Sequence, residues 1–158
     1  PTIKYGQSYF VGGDASRPAL HTGDDLFSKQ GETATAHQPV FATASGVVVS
    51  AGKLTGTWGN VIVIRHDPHI LTGQVVYSRY GHVETMQVKP GDRVVRGQYI
   101  ANIGNAFGAF KYHLHFDISQ SRVLQTTPWD WPAMDKKRLD ANYLNPNDFV
   151  SKRRPTTP

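Results

Sequence analysis

Short runs of β-favouring residues, separated by closely spaced turns, are the feature that most constrains the fold of this chain. The run Asn60–His66 is nearly continuously apolar, as in a strand that is buried on both faces. Lys89-Pro90-Gly91-Asp92 predicts a turn, because proline presets φ and glycine accepts a positive φ. Further strand-like runs lie at residues 47–49, 75–80, 94–95 and 99–103. The pattern predicts a mainly β fold, an antiparallel β-sheet sandwich with few short helices.

Length and charge indicate one domain of ordinary size. The chain has 158 residues and no cysteine, and a chain of this length buries roughly 70% of its unfolded surface, enough for a core without disulfides. We expect a single domain over residues 1–150, a flexible polar tail over 151–158, and a monomer. The net charge of +5 favours anionic partners. Basic residues are dispersed and no nucleic-acid motif accompanies them, so we expect no nucleic-acid partner.

The N-terminal residues, Pro1-Thr2-Ile3-Lys4, do not open a long apolar segment, and none follows. We therefore expect no membrane insertion. Because proline is not an ordinary translation start, we also expect a processed or excised chain.

Two histidines, His113 and His115, flank a leucine within an apolar run at residues 112–118. Successive side chains of a strand alternate faces, so both rings would project to one side, with Cα atoms roughly 6 to 7 Å apart. That spacing suits one metal ligand beside one proton-transfer group. The pair is equally compatible with packing or with a polar surface face.

A complementary set lies near the N-terminus, in His21-Thr22-Gly23-Asp24-Asp25. Neutral imidazole nitrogen and carboxylate oxygen both bind borderline cations such as zinc, and catalytic sites often use three protein ligands. His21, one of the two aspartates and one histidine of the later pair would make such a set. Alternatively, Gly23-Asp24 is a simple turn and Asp25 a solvated side chain.

Three separated motifs, in order, resemble the lysostaphin-like and LytM-like zinc endopeptidases that cut peptidoglycan cross-bridges and stem peptides. The motifs are His21 to Asp25, Tyr80-Gly81-His82-Val83, and His113-Leu114-His115-Phe116-Asp117. Connecting segments are similar as well, so the resemblance covers a core at residues 18–119. It implies the family's β-sandwich, with a groove on one sheet that presents the zinc.

The resemblance implies roles for five residues. His21, Asp25 and His115 match the ligands of one Zn²⁺ ion, while His82 and His113 match the two catalytic histidines that are not ligands. Which of these two removes a proton from water stays open. Asp117 follows His115 at i+2 and could accept its second N–H, as carboxylates beside metal-bound histidines do. It could equally be a charged residue at a strand end.

The implied function is zinc-dependent hydrolysis of peptide bonds in bacterial peptidoglycan, with peptidoglycan peptides as partners. Zinc polarises a carbonyl and lowers the pKa of water that it coordinates from about 15.7 towards 7, and a histidine can then move the proton. An extracytoplasmic location follows from this substrate. The alternative is a non-catalytic LytM-like domain that binds the cell wall or activates a separate hydrolase.

Other residues receive structural interpretations. We interpret His37, His66 and His69 as structural or surface histidines, because none occupies a catalytic motif position. The aromatic loop Trp129-Asp130-Trp131-Pro132 is interpreted as a cap on the core, with lining of a substrate cleft as the alternative. Lys111-Tyr112 stands where the family usually has small residues. A small-residue cross-bridge and a stem peptide therefore both stay open as substrates.

Overall fold

Two antiparallel sheets hold most of the regular structure in the computed structural model, which describes residues 3–54, 56–68 and 73–153. The smaller sheet is a hairpin of β1 (Ser8–Phe10) and β2 (Pro18–Leu20), joined through a 3₁₀ turn at Val11–Gly13. The larger sheet contains nine strands: β3 (Asp24–Leu26), β4 (Pro39–Phe41), β5 (Gly46–Lys53), β6 (Asn60–His66), β7 (Tyr77–Glu84), β8 (Arg93–Val94), β9 (Tyr99–Ile103), β10 (Leu114–Ser119) and β11 (Tyr143–Leu144).

The described helices are all short: α1 (Glu32–Thr35), α2 (Val123–Thr126), α3 (Lys136–Asn142) and α4 (Pro146–Ser151), with a second 3₁₀ turn at Gly56–Trp58. None of them has the length and apolar character that crossing a membrane requires. The predicted class, a mainly β fold with antiparallel sheets and few short helices, is confirmed.

The central strands run in the order β11-β10-β7-β6-β5-β8, and β3 lies beside the first half of β10. Within β6, Val61 and Val63 face one cluster of apolar residues, while Ile62 and Ile64 face another. All four side chains are fully buried, which confirms that this run is covered on both faces. His115 and Asp117 alternate with the core residues of β10 and therefore share the face opposite the larger cluster.

One strand differs from the sequence interpretation in a way that matters for the site. The strand-like run at 75–80 predicts a strand that ends before His82, but β7 extends to Glu84 and includes this histidine. The pairing with β6 passes from Val61↔Gly81 to Asn60↔Val83, so His82 is the extra residue of a bulge. Its φ of 62° is left-handed. Such a bulge re-aims a side chain, which local strand propensity cannot predict.

The remaining described histidines and the C-terminal region complete the comparison. His66 is buried, donates from Nδ1 to the Ser45 carbonyl at 3.1 Å and accepts from the Ser78 hydroxyl at 2.7 Å, as a structural residue would. His37 is exposed beside Glu84. His69 lies outside the described residues, as do residues 154–158 of the expected tail. Helix α4 ends at Ser151, one residue past the expected boundary.

Candidate active site

Three predicted metal ligands converge on one point of the larger sheet. Asp25 in β3 is the cross-strand partner of His115 in β10, and His21 precedes β3 by a short bend. His21 Nε2 lies 3.1 Å from His115 Nδ1 and 3.1 Å from Asp25 Oδ1, and His115 Nδ1 lies 3.3 Å from that oxygen. All three residues are buried, and together they form a group that could hold a metal ion.

The second nitrogen of each ligand imidazole fixes which tautomer it adopts. His21 Nδ1 lies 2.7 Å from the Gly23 carbonyl oxygen and must donate to it. His115 Nε2 lies 2.9 Å from Asp117 Oδ2 and donates to that carboxylate. In the neutral rings, His21 Nε2 and His115 Nδ1 therefore turn lone pairs towards each other and towards Asp25. Three such acceptors repel one another unless a cation lies between them.

The spacing of the three atoms also suits a metal. Tetrahedral zinc with bonds of about 2.0 to 2.2 Å places its ligand atoms about 3.3 Å apart. The three measured separations, 3.1, 3.1 and 3.3 Å, are close to this value. Asp25 Oδ1 makes no well-directed hydrogen bond despite its burial. A carboxylate oxygen without a hydrogen bond, together with the two imidazole nitrogens beside it, provides three ligand atoms for a divalent cation.

His21, Asp25 and His115 are here called the triangle, and the charges around them shift the pKa values of Asp25 and His115. Burial alone would raise the pKa of Asp25, but the imidazoles of His115 and His21 outweigh it and hold that pKa below its ordinary value. Burial alone would lower the pKa of His115, but the carboxylates of Asp117 and Asp25 outweigh it and raise that pKa. A proton and a metal ion thus compete for the same His115 nitrogen.

Gly23 explains how the first motif reaches this point. A Cβ atom at Gly23 would lie 2.1 Å from the Phe116 carbonyl oxygen and 2.6 Å from the Asp117 Cβ atom. The segment between His21 and Asp25 therefore crosses β10 at a distance that only glycine permits. The alternative of a simple turn does not describe it, because the constraint comes from a strand distant in sequence.

Replacing Gly23 with alanine is expected to destabilise the protein by about 3 kcal/mol and to separate His21 from His115, because backbone atoms cannot yield as a flexible side chain does. Urea unfolding with chelator present measures the loss. Gly52→Ala is the matched control, since a Cβ there meets nothing within 4 Å. Equal stability of the two variants would contradict the close approach.

The two predicted catalytic histidines lie beside the triangle. His82 and His113 have ring centroids 4.7 Å apart, and His113 Nε2 lies 3.6 Å from Asp25 Oδ1. His82 Nδ1 donates to the Trp58 carbonyl at 3.0 Å, and His113 Nδ1 donates to the Lys111 carbonyl at 2.8 Å. Burial lowers the pKa of both. Each ring is thus held with a bare Nε2 that can accept a proton.

The site opens into a cleft of about 510 Å³. The β1–β2 hairpin lines it with Tyr9, Phe10 and Arg17. Aromatic residues beside His113 line it as well, and the Phe27 ring stacks on that imidazole with centroids 5.2 Å apart. A cleft of this volume is in the usual range for ligand sites.

The aromatic loop contributes to the cleft rather than only to the core. Trp129 and Trp131 both line it, and Trp129 is half exposed. The Trp131 ring packs against His21 and His115, with centroid separations of 6.0 and 5.6 Å. The interpretation as a core cap is therefore replaced by the alternative of cleft lining.

The buried carboxylate of Asp117 contacts His115 and links it to Thr22 and Arg79. Asp117 Oδ2 accepts hydrogen bonds from His115 Nε2, from the Thr22 hydroxyl at 2.7 Å, and from the Arg79 guanidinium. Burial alone would raise the pKa of Asp117, but the Arg79 charge and the His115 contact outweigh it and lower that pKa. Of the two interpretations of Asp117, the partner of His115 fits these contacts.

Sequence reasoning missed Arg79, which pairs directly with Asp117 across β7 and β10. Its side chain is fully buried, donates to the carbonyls of Pro128 and Asp130 at 3.0 Å each, and lies 4.0 Å from the Trp58 ring centroid. A lone arginine inside the strand-like run 75–80 is the signal that could have found it, since a buried charge requires a partner.

A sequence profile of Peptidase family M23 matches residues 19–129, a span that contains every residue of the triangle and both neighbouring histidines. The chain belongs to peptidase family M23. The match agrees with the resemblance to lysostaphin-like and LytM-like proteins.

Curated relatives of this M23 chain carry NlpD names. Lipoprotein NlpD of Yersinia enterocolitica is 43% identical over 81 residues, which are 51% of this chain and 76% of that protein. Murein hydrolase activator NlpD of Escherichia coli is 40% identical over 81 residues, 51% of this chain but 20% of that protein. A Pseudomonas aeruginosa homologue is 33% identical, with 68% of this chain matching 32% of that protein. This chain thus matches a third or less of the length of the Escherichia coli and Pseudomonas aeruginosa proteins.

Solved structures show the same M23 fold. The catalytic domain of lysostaphin from Staphylococcus simulans superimposes with a TM-score of 0.64 and 24% identity, over 96% of this chain and 92% of that one. LytU superimposes with a TM-score of 0.62 and 22% identity, over 94% and 82% of the two chains.

Replacing Asp117 with asparagine in this M23 domain is expected to lower zinc affinity by about 10- to 100-fold, because the carboxylate that orients His115 is lost. Competition with a chromophoric chelator measures the affinity. Asp140→Asn is the control, since the Asp140 carboxylate lies at the surface in an exposed pair with Lys136. Unchanged zinc affinity in the Asp117 variant would show that His115 needs no such support.

Proposed function

We propose that this protein is a zinc-dependent endopeptidase that cleaves peptide bonds in bacterial peptidoglycan. One observation carries the proposal: three buried acceptor atoms converge beside two imidazoles that line an open cleft and whose Nδ1 atoms are held by backbone carbonyls. In this proposal His21, Asp25 and His115 hold one Zn²⁺ ion. Bound zinc would supply Lewis-acid chemistry, polarising the scissile carbonyl and making water more acidic.

His82 and His113 move protons in the proposed reaction. The carbonyls of Trp58 and Lys111 hold their Nδ1–H groups, so each ring accepts or returns a proton through Nε2. Burial favours the neutral ring that a base requires. The short separation of the two rings allows one to accept the proton from water while the other protonates the leaving amine.

We further propose that residues 1–150 act as one domain and that the protein works outside the cytoplasm, where its substrate lies. The support is the family match over residues 19–129 and the relative named as a lipoprotein. Its proposed partners are peptidoglycan peptides.

A second candidate function is activation of a separate cell-wall hydrolase. It is favoured by 40% identity to the Escherichia coli protein named as a murein hydrolase activator. An activator does not require the two proton-transfer histidines, whereas an endopeptidase does. All five residues are present in this chain.

Digestion of purified peptidoglycan from several wall types separates the two functions. Zinc-loaded protein is expected to release new amino termini from at least one wall type, chelator to stop the release, and added zinc to restore it. Mass spectrometry of the products locates the scissile bond. If fully metallated protein cleaves no wall type but accelerates an added hydrolase, the activator function replaces the endopeptidase.

A further inference from the structure

Two cationic side chains, Arg17 and Lys111, line the cleft. Lys111 Nζ lies 3.6 Å from a carboxylate oxygen of Glu32, so its charge is partly neutralised by the chain itself. Arg17 differs: across residues 3–54, 56–68 and 73–153 no carboxylate lies within 4 Å of its guanidinium. Arg17 therefore makes no ion pair with the described part of the chain.

The hairpin keeps Arg17 in this state. Arg17 N–H donates to the Asp14 carbonyl at 2.9 Å, and the Arg17 carbonyl accepts from Val11 N–H at 3.0 Å, so both sides of its backbone are fixed. Asp14 carries the nearest carboxylate along the chain, but that carboxylate accepts from Ser16 N–H at 2.9 Å and from the Ser16 hydroxyl at 2.7 Å. The Asp14 charge acts on Arg17 only from beyond ion-pair distance, so the guanidinium N–H groups stay available to another partner.

Arg17 lines the same cleft as Tyr9 and belongs to the same hairpin. The Tyr9 ring packs edge-on against His21, with centroids 5.3 Å apart. The hairpin thus presents Arg17 together with a side chain that touches a predicted metal ligand.

The cleft contains little negative charge to answer Arg17. Among the described residues that line it, Asp25 carries the one carboxylate, and that group lies beside His21 and His115 in the predicted metal site. A peptide in the cleft would therefore meet an arginine that no carboxylate of the described residues pairs with. Guanidinium groups bind carboxylates through paired, charge-assisted hydrogen bonds.

We propose that Arg17 determines substrate specificity by binding a free carboxylate of the peptide. The preferred substrate class is an acidic peptide, such as a stem peptide with a γ-linked glutamate, rather than a neutral glycine cross-bridge. The cleavage part of this inference rests on the proposed function, whereas the binding part does not.

Two labelled peptides test the binding part. Both are stem-type peptides with an amidated C-terminus and one γ-linked glutamate, whose α-carboxylate is free in one and a carboxamide in the other. Fluorescence anisotropy gives dissociation constants for zinc-loaded full-length protein carrying His82→Ala, which prevents turnover. The acidic peptide is expected to bind about tenfold more tightly than the amide.

Adding Arg17→Gln is expected to bring this ratio close to one by weakening only the acidic peptide, and Arg17→Glu to invert it. Arg122→Gln is the matched control, because Arg122 is also exposed but does not line the cleft. It removes the same net charge and should keep the ratio. Equal affinities with Arg17 present, a preference that survives Arg17→Gln, or no measurable binding of either peptide would overturn the proposal.

Turnover of the same peptides by the protein with His82 intact separates the two levels. Cleavage of both peptides at equal kcat/KM, with equal affinities, would leave the endopeptidase function standing and remove the role of Arg17. Unequal affinities without cleavage would leave the role of Arg17 in binding standing and remove the endopeptidase function.

Discussion

Replacing His115 with alanine is expected to abolish stoichiometric zinc binding and, with it, peptide cleavage. Loss of an outer-shell partner typically costs 10- to 100-fold in metal affinity, and loss of a ligand should cost more. His115 supplies one of three converging acceptors, and the alanine side chain that replaces it has no atom that can bind a metal. Equilibrium dialysis followed by metal analysis measures the bound zinc.

Thermal unfolding provides a second readout that does not depend on activity. A ligand at about 100 times its dissociation constant stabilises a folded protein by about 2.7 kcal/mol. The wild-type protein should gain this amount at such a zinc concentration, and the His115 variant should gain nothing. His66→Ala is the matched control, because it also removes a buried, hydrogen-bonded histidine but lies away from the triangle. Zinc stabilisation of the His115 variant would contradict its role as a ligand.

The sequence predicts those parts of the molecule that follow from local pattern. The nearly continuous apolar run Asn60–His66 predicts a strand covered on both faces, and the structure buries it so. The spacing of His113 and His115 predicts one shared face, and both rings reach the same site. The motif that contains His21 and Asp25 is local as well, and these side chains meet within one bend of the chain.

The parts that escaped prediction depend on strand register. Whether Arg79 faces Asp117 is decided by how β7 pairs with β10, and a shift of one residue would separate them. The bulge at His82 arises from a two-against-one pairing with β6. Gly23 is required because β10 passes close by, which nothing in its own neighbours reveals.

Replacing His82 with alanine should leave one bound zinc but lower kcat by about 10²- to 10⁴-fold, the usual contribution of a positioned acid or base. The reason is geometric: His82 lines the cleft with its Nδ1 held by the Trp58 carbonyl, whereas the metal-binding group consists of His21, Asp25 and His115. Steady-state cleavage of a peptidoglycan peptide, with zinc content measured on the same sample, tests both statements. Near-normal turnover would remove His82 from the mechanism.

The His82 and His113 double variant then asks whether the two rings act as one unit. Their centroids are 4.7 Å apart, and both are anchored by backbone carbonyls. Removing one ring therefore changes the surroundings in which the other transfers a proton. If they cooperate, the double variant should lose little more kcat than the more damaging single variant, because groups that act together are not additive. His37→Ala, at an exposed histidine beside Glu84, is the control and should keep full activity. Losses that simply multiply would instead assign the histidines to independent steps.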